Sequence, residues 1–316
     1  MSSLAIVNRM PAMRRLVRYR AITYFDAVRR YGSIREAARR LNVAASAVNR
    51  QLLRFEEDAG MPLFERLADG MRLTPAGEVF ARHVITVLQD ERRAASELDA
   101  LRGLQCGELG VIAAEPLSSA VLPDLLADMS DRYPGVRLTI QSMSSSLIAS
   151  ALLSGSADVG LAFSLPPDPQ LQQLAGARLP LGAVMRPDHP LASERVLTLA
   201  ACTAYPVILP TPRLCTHAIL APYLAELSGS LAVAAEVESV ELMRNLTLRL
   251  NAICFHSRLG IEAELRAGRL VHIPLQSAGP INSHLGIYVR RGRRVCNALD
   301  AFVALARNYL AWLESN

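Results

Sequence analysis

The feature that most restricts the fold of this chain is a pair of short helix signals close together near its N-terminus. A first helix is predicted over Tyr19–Tyr31, and Gly32 ends it. Ser33 and Glu36 then form a capping-box pattern, which predicts a short second helix over Ile34–Leu41. These two helices fix the start of the first domain.

A third helix signal follows a tight turn. Asn42 tolerates the left-handed backbone conformation, and a third helix is predicted to start near Ala45. Its apolar stripe consists of Val48, Leu52 and Phe55. The spacing favours a helix-turn-helix, although amphipathic helix pairs of other kinds are also common.

Two strand-like pieces after the third helix are typical of a wing. They are Pro62–Arg66 and Met71–Thr74, separated by the polar turn 68–70. Thr74 and Pro75 then suit the N-cap and the first position of a long helix. A winged helix-turn-helix domain is therefore predicted over residues 18–75, after a flexible basic extension at residues 1–17.

The long helix is predicted to run from Pro75 to about Leu101, since after Gly77 no glycine or proline interrupts it. Spacings of four and three alternate along a heptad seam of Phe80, Val84, Val87, Glu91, Ala94, Leu98 and Leu101. This stripe can pack on its own domain or on a second copy of the chain. Pairing is favoured, because a long helix between domains has to bury its stripe. The linker helix and hinge are assigned to residues 76–104.

Charge separates the two ends of the chain. All 34 basic residues are arginine, which excludes a lysine Schiff base and a Walker-type phosphate loop. Residues 1–74 contain 14 arginines and 7 acidic residues, whereas residues 109–316 contain 16 of each. The basic end predicts a polyanionic partner for that end only.

Seven short motifs follow one another in order over about 55 residues: Phe25–Val28, Gly32–Ile34, Ala37–Leu41, Val48–Gln51, Glu56–Glu57, Leu63–Arg66 and Leu73–Gly77. In this order they closely resemble the LysR-type transcriptional regulators. The resemblance implies an α+β chain in two parts: a winged helix-turn-helix, a long dimerisation linker helix and a two-lobed α/β domain like a periplasmic binding protein. It implies that the partners are double-stranded DNA, a small-molecule effector and the chain itself as a dimer or tetramer, with RNA polymerase as a further candidate.

In that family the third helix enters the major groove. The resemblance implies base contacts from Ala44, Ala45, Ser46, Asn49 and Arg50. Asparagine can bond adenine and arginine can bond guanine at two points, although Arg50 equally suits a phosphate contact. Ala45 departs from the glutamine of many relatives and can touch only a thymine methyl group. Ser33, Arg54, Arg66 and Arg72 complete the predicted DNA-binding set, the arginines as phosphate contacts or solvated charges.

The remainder, residues 105–316, alternates strands and helices. Strands are predicted at 109–114, 136–141 and 158–163, with helices at 118–133 and 144–154 between them, which gives a mainly parallel sheet. A second set follows, with strands at 207–209, 233–237 and 252–255, helices at 212–227 and 239–250, and a final helix at 295–313. The resemblance implies an effector-binding domain with one lobe at about 105–180 and 286–316 and the other at about 181–285.

Ligands of open α/β sheets bind beyond the carboxyl ends of the strands. These ends predict an effector site of Ser118, Ser119, Ser144, Ser145, Thr211, Arg213 and His256. Serines at helix N-termini favour an anion, although N-capping explains them equally well. Arg213 suits a carboxylate or a solvated position. The expected ligand is a small organic effector, with a carboxylate favoured, and no cofactor.

The sequence contains none of the common motifs that indicate an enzyme or a metal-binding protein. The sequence has no HExxH, GxSxG, GxGxxG or zinc spacing, so neither catalytic residues nor a metal site is predicted, and an enzyme or solute-binding protein remains the alternative. Inert thiols are favoured over a redox pair of Cys202 and Cys215. No recognisable signal peptide or long apolar segment is present, which predicts a cytoplasmic protein without membrane contact.

Overall fold

The computed structural model describes residues 19–101, 107–119, 121–227, 231–292 and 297–315. The predicted extension at residues 1–17 lies outside these ranges, as does most of the predicted hinge. The chain divides into two compact units, residues 1–95 and 96–316. No helix in the described ranges is both long enough and apolar enough to cross a membrane.

The first unit contains the predicted helices and wing. Its elements are α1 (Tyr19–Tyr31), α2 (Ile34–Leu41), α3 (Ala45–Ala59), the antiparallel hairpin β1 (Phe64–Leu67) and β2 (Gly70–Leu73), and most of α4 (Pro75–Leu101). Ser33 caps α2 by accepting a hydrogen bond from the backbone N–H of Glu36. Asn42 ends α2 in the left-handed conformation, with a φ of 53°. The helix limits thus follow the local signals in the sequence.

Four phenylalanines form the centre of this unit. Phe25 contacts Phe55, Phe64 and Phe80, with ring centroids 6.5, 5.0 and 4.9 Å away. Because the rings come from α1, α3, β1 and α4, one cluster joins the helix-turn-helix, the wing and the long helix. Val84 of α4 is 0% exposed in the same core. At Phe80 and Val84, the predicted intersubunit seam therefore packs on its own domain.

The second half of the predicted seam is different. Val87 still packs against the domain core, but Glu91 and Ala94 are exposed. Leu98 is 58% exposed, and the side chain of Leu101 lies outside the described part of the chain. The stripe thus combines a core contact with an exposed apolar segment, because both follow the same helical period.

The second unit contains two five-stranded sheets. Its elements are β3 (Gly107–Ala114), a short 3-10 helix (Glu115–Ser119), α5 (Val121–Arg132), β4 (Val136–Met143), α6 (Ser145–Leu153), β5 (Val159–Phe163), β6 (Leu171–Pro180), β7 (Gly182–Met185), α7 (Leu199–Cys202), β8 (Pro206–Pro210), α8 (Cys215–Glu226), β9 (Ala232–Val237), α9 (Val240–Arg249), β10 (Ile253–His256), α10 (Glu262–Arg266), β11 (Val271–Pro274), β12 (Asn282–Arg290) and α11 (Asn297–Ser315).

Each sheet defines one lobe. The first lobe has the strand order β4-β3-β5-β12-β6 and the second β11-β7-β10-β8-β9. The strands predicted from the sequence pair in parallel, whereas β7, β11 and β12 run antiparallel to their neighbours. The sequence analysis missed β6, β7, β11 and β12, which lack the strand–helix alternation. The chain returns to the first lobe with β12 at Asn282, ahead of the predicted residue 286.

Candidate nucleic-acid interface and ligand cleft

The exposed face of α3 is polar and basic. Its apolar stripe is buried, so Ser46, Arg50 and Arg54 are turned to solvent, with Asn49 half-buried beside them. Within the described ranges, neither Arg50 nor Arg54 forms an ion pair with an acid. Two free guanidinium groups on one helix face can bond phosphates or base edges.

The first turn of α3 contributes backbone rather than side chains. Ala44 is the N-cap, is exposed and has no side chain to bond the free N–H groups. Such an end favours an anion such as a phosphate. Ala45 packs against the core, and Ser33 is engaged in capping α2.

The wing is fixed at two points, one at its base and one next to its turn. The carboxylate of Glu56 in α3 accepts hydrogen bonds from the backbone N–H groups of Leu63 and Phe64, at 2.8 and 3.0 Å. The backbone N–H of Met71 donates to the carbonyl of Gly32, the residue between α1 and α2, at 2.7 Å. The hairpin is thus held at a set position beside α3.

The two wing arginines have different partners. Arg66 donates from Nη2 to Oδ1 of Asn49 at 2.7 Å, which links the wing to α3. Arg72 instead pairs with Glu65, its cross-strand neighbour, at 3.1 Å. The charge of Arg66 is therefore not neutralised by this bond, whereas that of Arg72 is partly balanced.

A cleft that opens to solvent lies between the lobes of the second unit. It is lined by the N-terminal turns of α6 and α8 and by the ends of β3, β5 and β10. The charged side chains in its lining are Glu115 and Glu238, both exposed.

Two hydroxyl groups at the start of α6 form hydrogen bonds along one wall of the cleft. Ser145 is buried and accepts a hydrogen bond from the backbone N–H of Phe163 at 3.1 Å. Ser144 is the N-cap residue, but its side chain does not cap the helix. Its hydroxyl donates instead to the backbone carbonyl of Arg213 in the other lobe, at 3.0 Å.

His256 lines the opposite wall and is 5% exposed. Its Nδ1 lies 2.8 Å from the carbonyl oxygen of Ser257. Because a carbonyl can only accept, Nδ1 carries the proton and Nε2 is an acceptor. Burial lowers the pKa of His256, so the ring is neutral. Among the described residues Nε2 has no hydrogen-bond partner, which leaves it available to a donor on a ligand.

Comparisons with known proteins decide the family. Residues 19–78 match the model of the bacterial regulatory helix-turn-helix protein of the lysR family, and residues 102–311 match the LysR substrate binding domain. This chain belongs to the LysR family. It is a DNA-binding transcription regulator with an effector-binding domain, not an enzyme.

Relatives and solved structures match large parts of the chain. The chain is 27% identical to the RuBisCO operon transcriptional regulator of Allochromatium vinosum, covering 90% of this chain and 94% of that protein. It is 34% identical to the transcriptional activator LysR of Escherichia coli over 58% of each chain. Full-length OxyR from Pseudomonas aeruginosa has a similar fold, with a TM-score of 0.73, 17% identity and coverage of 91% and 93%.

The predicted effector residues divide into two groups. Ser144, Ser145 and His256 line the cleft, whereas Ser118, Ser119, Thr211 and Arg213 do not. The hydroxyl of Ser118 bonds that of Ser142, and Arg213 lies 3.6 Å from Glu238 with its side chain 79% exposed. The position of its side chain therefore does not support Arg213 as a carboxylate partner in the cleft.

The sequence analysis also missed residues of the regulator's cleft. Cys215, Thr216, Ser257 and Ser283 contribute to the lining. The predicted helix at 212–227 begins only at Cys215, and its N-cap is Leu214, which gives no capping signal. Because ligands were expected just beyond the carboxyl end of the strand, the sequence analysis placed the site at Thr211 and Arg213. The residues that line the cleft begin about three positions later in the chain.

The thiols of this regulator are free where the structure describes them. Burial raises the pKa of Cys202 to about 11, that of Cys254 to about 12, and that of Cys215 above its ordinary value. Cys106 and Cys296 lie outside the described residues. Within those residues, no cluster of three or more His, Cys, Asp or Glu could hold a metal ion.

Proposed function

We propose that this regulator binds operator DNA through the exposed face of α3 and that a small organic effector in the cleft modulates this binding. The observation that carries the DNA contact is the free, exposed Arg50 beside Asn49 on α3. Ser46 and Arg54 extend the same face, and Arg66 and Arg72 place positive charge on the wing. Solved CbnR bound to its target DNA has a TM-score of 0.52 and 23% identity, covering 92% and 99% of the two chains.

The effector proposed for the cleft is an organic acid that also carries a hydrogen-bond donor. The N-terminal turns of α6 and α8 attract a carboxylate through their free N–H groups. Because Nε2 of His256 is a hydrogen-bond acceptor, we expect the same molecule to carry a hydroxyl or ammonium donor elsewhere. Glu115 and Glu238 at the rim favour the donor end. No cofactor is needed for this mode of regulation.

The working form is proposed to be a dimer or tetramer in the cytoplasm, with RNA polymerase as a further partner. Leu98, 58% exposed on the second half of α4, is the apolar residue that a second copy would cover. A pair of α3 helices held in this way binds two half-sites, so that affinity depends on their spacing.

DNA selection with the full-length chain tests the first part. Arg50→Ala should weaken binding to the selected site by about 1–3 kcal/mol while its unfolding temperature stays unchanged. Arg307→Ala, which removes the same charge from the second unit, is the matched control and should bind as the wild type does. Equal affinity of the wild type and Arg50→Ala at equal salt contradicts the proposal.

A thermal-shift screen of small organic acids, with their hydroxy and amino derivatives, tests the cleft. A ligand at a hundred times its dissociation constant stabilises the native state by roughly 2.7 kcal/mol, a rise of about 5 °C. Ser144→Phe should fill the cleft and abolish the shift. Ser118→Phe, on an exposed serine outside the cleft, should retain it. A shift that survives in Ser144→Phe places the effector elsewhere.

A further inference from the structure

We propose that Arg66 is a positioning residue for base reading, because its guanidinium fixes the orientation of the Asn49 side-chain amide. Base preference at the pair that Asn49 contacts then depends on the wing as well as on α3. This inference rests on the proposed function of α3 as the recognition helix.

The hydrogen bond determines which way the amide faces. Arg66 Nη2 lies 2.7 Å from Asn49 Oδ1. A guanidinium has only donors, so the amide oxygen must face Arg66, and a flipped amide would set donor against donor. The orientation of the NH2 group is thereby fixed before DNA binds. Because an asparagine distinguishes bases by where its donor and acceptor lie, a fixed amide favours one base edge.

The wing can hold Arg66 because the strand itself is held. Phe64 and Arg66 are two residues apart on β1 and share a face. Phe64 is buried with its ring 5.0 Å from that of Phe25, which points this face toward the helices. Glu65 lies on the other face and pairs with Arg72.

The turn of the hairpin lies directly against the backbone between α1 and α2. A Cβ placed on Gly70 would overlap the carbonyl oxygen of Gly32. Met71, next in the chain, already bonds that oxygen. Close backbone contact at the tip and the bonds of Glu56 at the base therefore set the place of Arg66 relative to Asn49.

A phosphate contact is the competing role for Arg66, and the two roles have different consequences. A phosphate contact strengthens binding to every sequence equally and steepens the salt dependence. A positioning residue affects discrimination mainly at one base pair, and its effect depends on the residue that it positions. Measuring the affinity for many DNA sequences, rather than for one, therefore distinguishes the two roles of Arg66.

The test uses the full chain and a half-site obtained by selection from random DNA. Affinities are measured for every single-base-pair variant of that half-site with the wild type, Asn49→Ala, Arg66→Ala, the double variant and Arg72→Ala. Asn49→Ala should lose about 5- to 150-fold discrimination at one base pair. Arg66→Ala should lose discrimination at the same pair, and the double variant should lose no more than Asn49→Ala. Arg72→Ala, on the same hairpin but bonded to Glu65, should keep the wild-type discrimination at every base pair and lower the affinity for all sequences alike.

Three results overturn the proposal. The first is an equal loss of affinity for all sequences in Arg66→Ala, with a shallower salt dependence. The second is a loss of discrimination in Arg66→Ala that adds in full to that of Asn49→Ala. The third is an Asn49→Ala variant that keeps the wild-type profile. Unfolding temperatures equal to that of the wild type confirm that the variants are folded, as expected for a bond between surface side chains. A wild-type chain that selects no sequence contradicts the proposed function itself, and that outcome is distinct from all three.

Discussion

The hydroxyl of Ser144 donates to the backbone carbonyl of Arg213 at 3.0 Å, so that one hydrogen bond crosses the cleft. Ser144 belongs to the first lobe and Arg213 to the second. Because the acceptor is a backbone atom, the bond does not depend on the arginine side chain, which lies near Glu238 instead.

Ser144→Ala removes the bond between the lobes, whereas Arg213→Ala leaves it in place. We expect the first change to lower the free energy of unfolding by about 0.5–1.5 kcal/mol. The second should change it by less than about 0.5 kcal/mol, since an exposed side chain contributes little. Denaturant titration of the full chain measures both, and an equal loss in the two variants would show that the bond is not formed.

Substitutions in α4 separate its core contact from its exposed segment. Val84→Asp buries a charge in the phenylalanine core and should unfold the first unit. Leu98→Asp changes a residue that is 58% exposed and should leave the unfolding temperature unchanged while dissociating the oligomer. Circular dichroism and light scattering measure the two effects. A wild-type mass equal to one chain at micromolar concentration refutes pairing through α4.

The ends of α1 and α2 follow from local signals, which explains why the sequence predicted them well. The Ser33 cap, the left-handed Asn42 and the turn at Gly32 each act within a few residues along the chain. The role of Val84 could not be predicted in the same way. An apolar stripe repeats identically whether it faces its own core or a second helix, so only the fold assigns it.

The cleft was harder to predict because it depends on contacts between distant segments. β6 and β12 pair along their length although about a hundred residues separate them in the chain. The start of α8 at Cys215 carries no capping residue, so the sequence placed that helix too early. The bond between Arg66 and Asn49 likewise needs the hairpin folded on α3.

Thiol reactivity gives a third prediction. Burial raises the pKa of Cys202 to about 11 and that of Cys254 to about 12. At pH 8 a thiol of pKa 11 is roughly 0.1% thiolate, and the thiolate is the reactive form. Peptides containing these two cysteines should remain unmodified by N-ethylmaleimide in the native protein and react fully after denaturation. Rapid labelling of Cys202 in the native protein would contradict this prediction and would favour the alternative in which Cys202 and Cys215 form a redox pair.

The fourth prediction concerns the loss of stability as the pH falls. Burial lowers the pKa of His272 to about 4 from an ordinary value of 6.5, and its Nε2 donates to the carbonyl of His256 at 3.1 Å. The unfolded state therefore binds a proton at a higher pH than the folded state. Stability contributed by the neutral ring is complete above about pH 6.5 and is lost as the pH falls toward 4, by up to about 3 kcal/mol.

His272→Gln tests this assignment because a glutamine amide can keep the donor to His256 without titrating. The unfolding temperature of the variant should fall less than that of the wild type between pH 6.5 and 4.5, and the two should differ by a constant amount above pH 7. Part of the decline will persist, since burial also lowers the pKa of His256. Parallel curves for the two proteins over the whole range would mean that His272 is not the group that titrates.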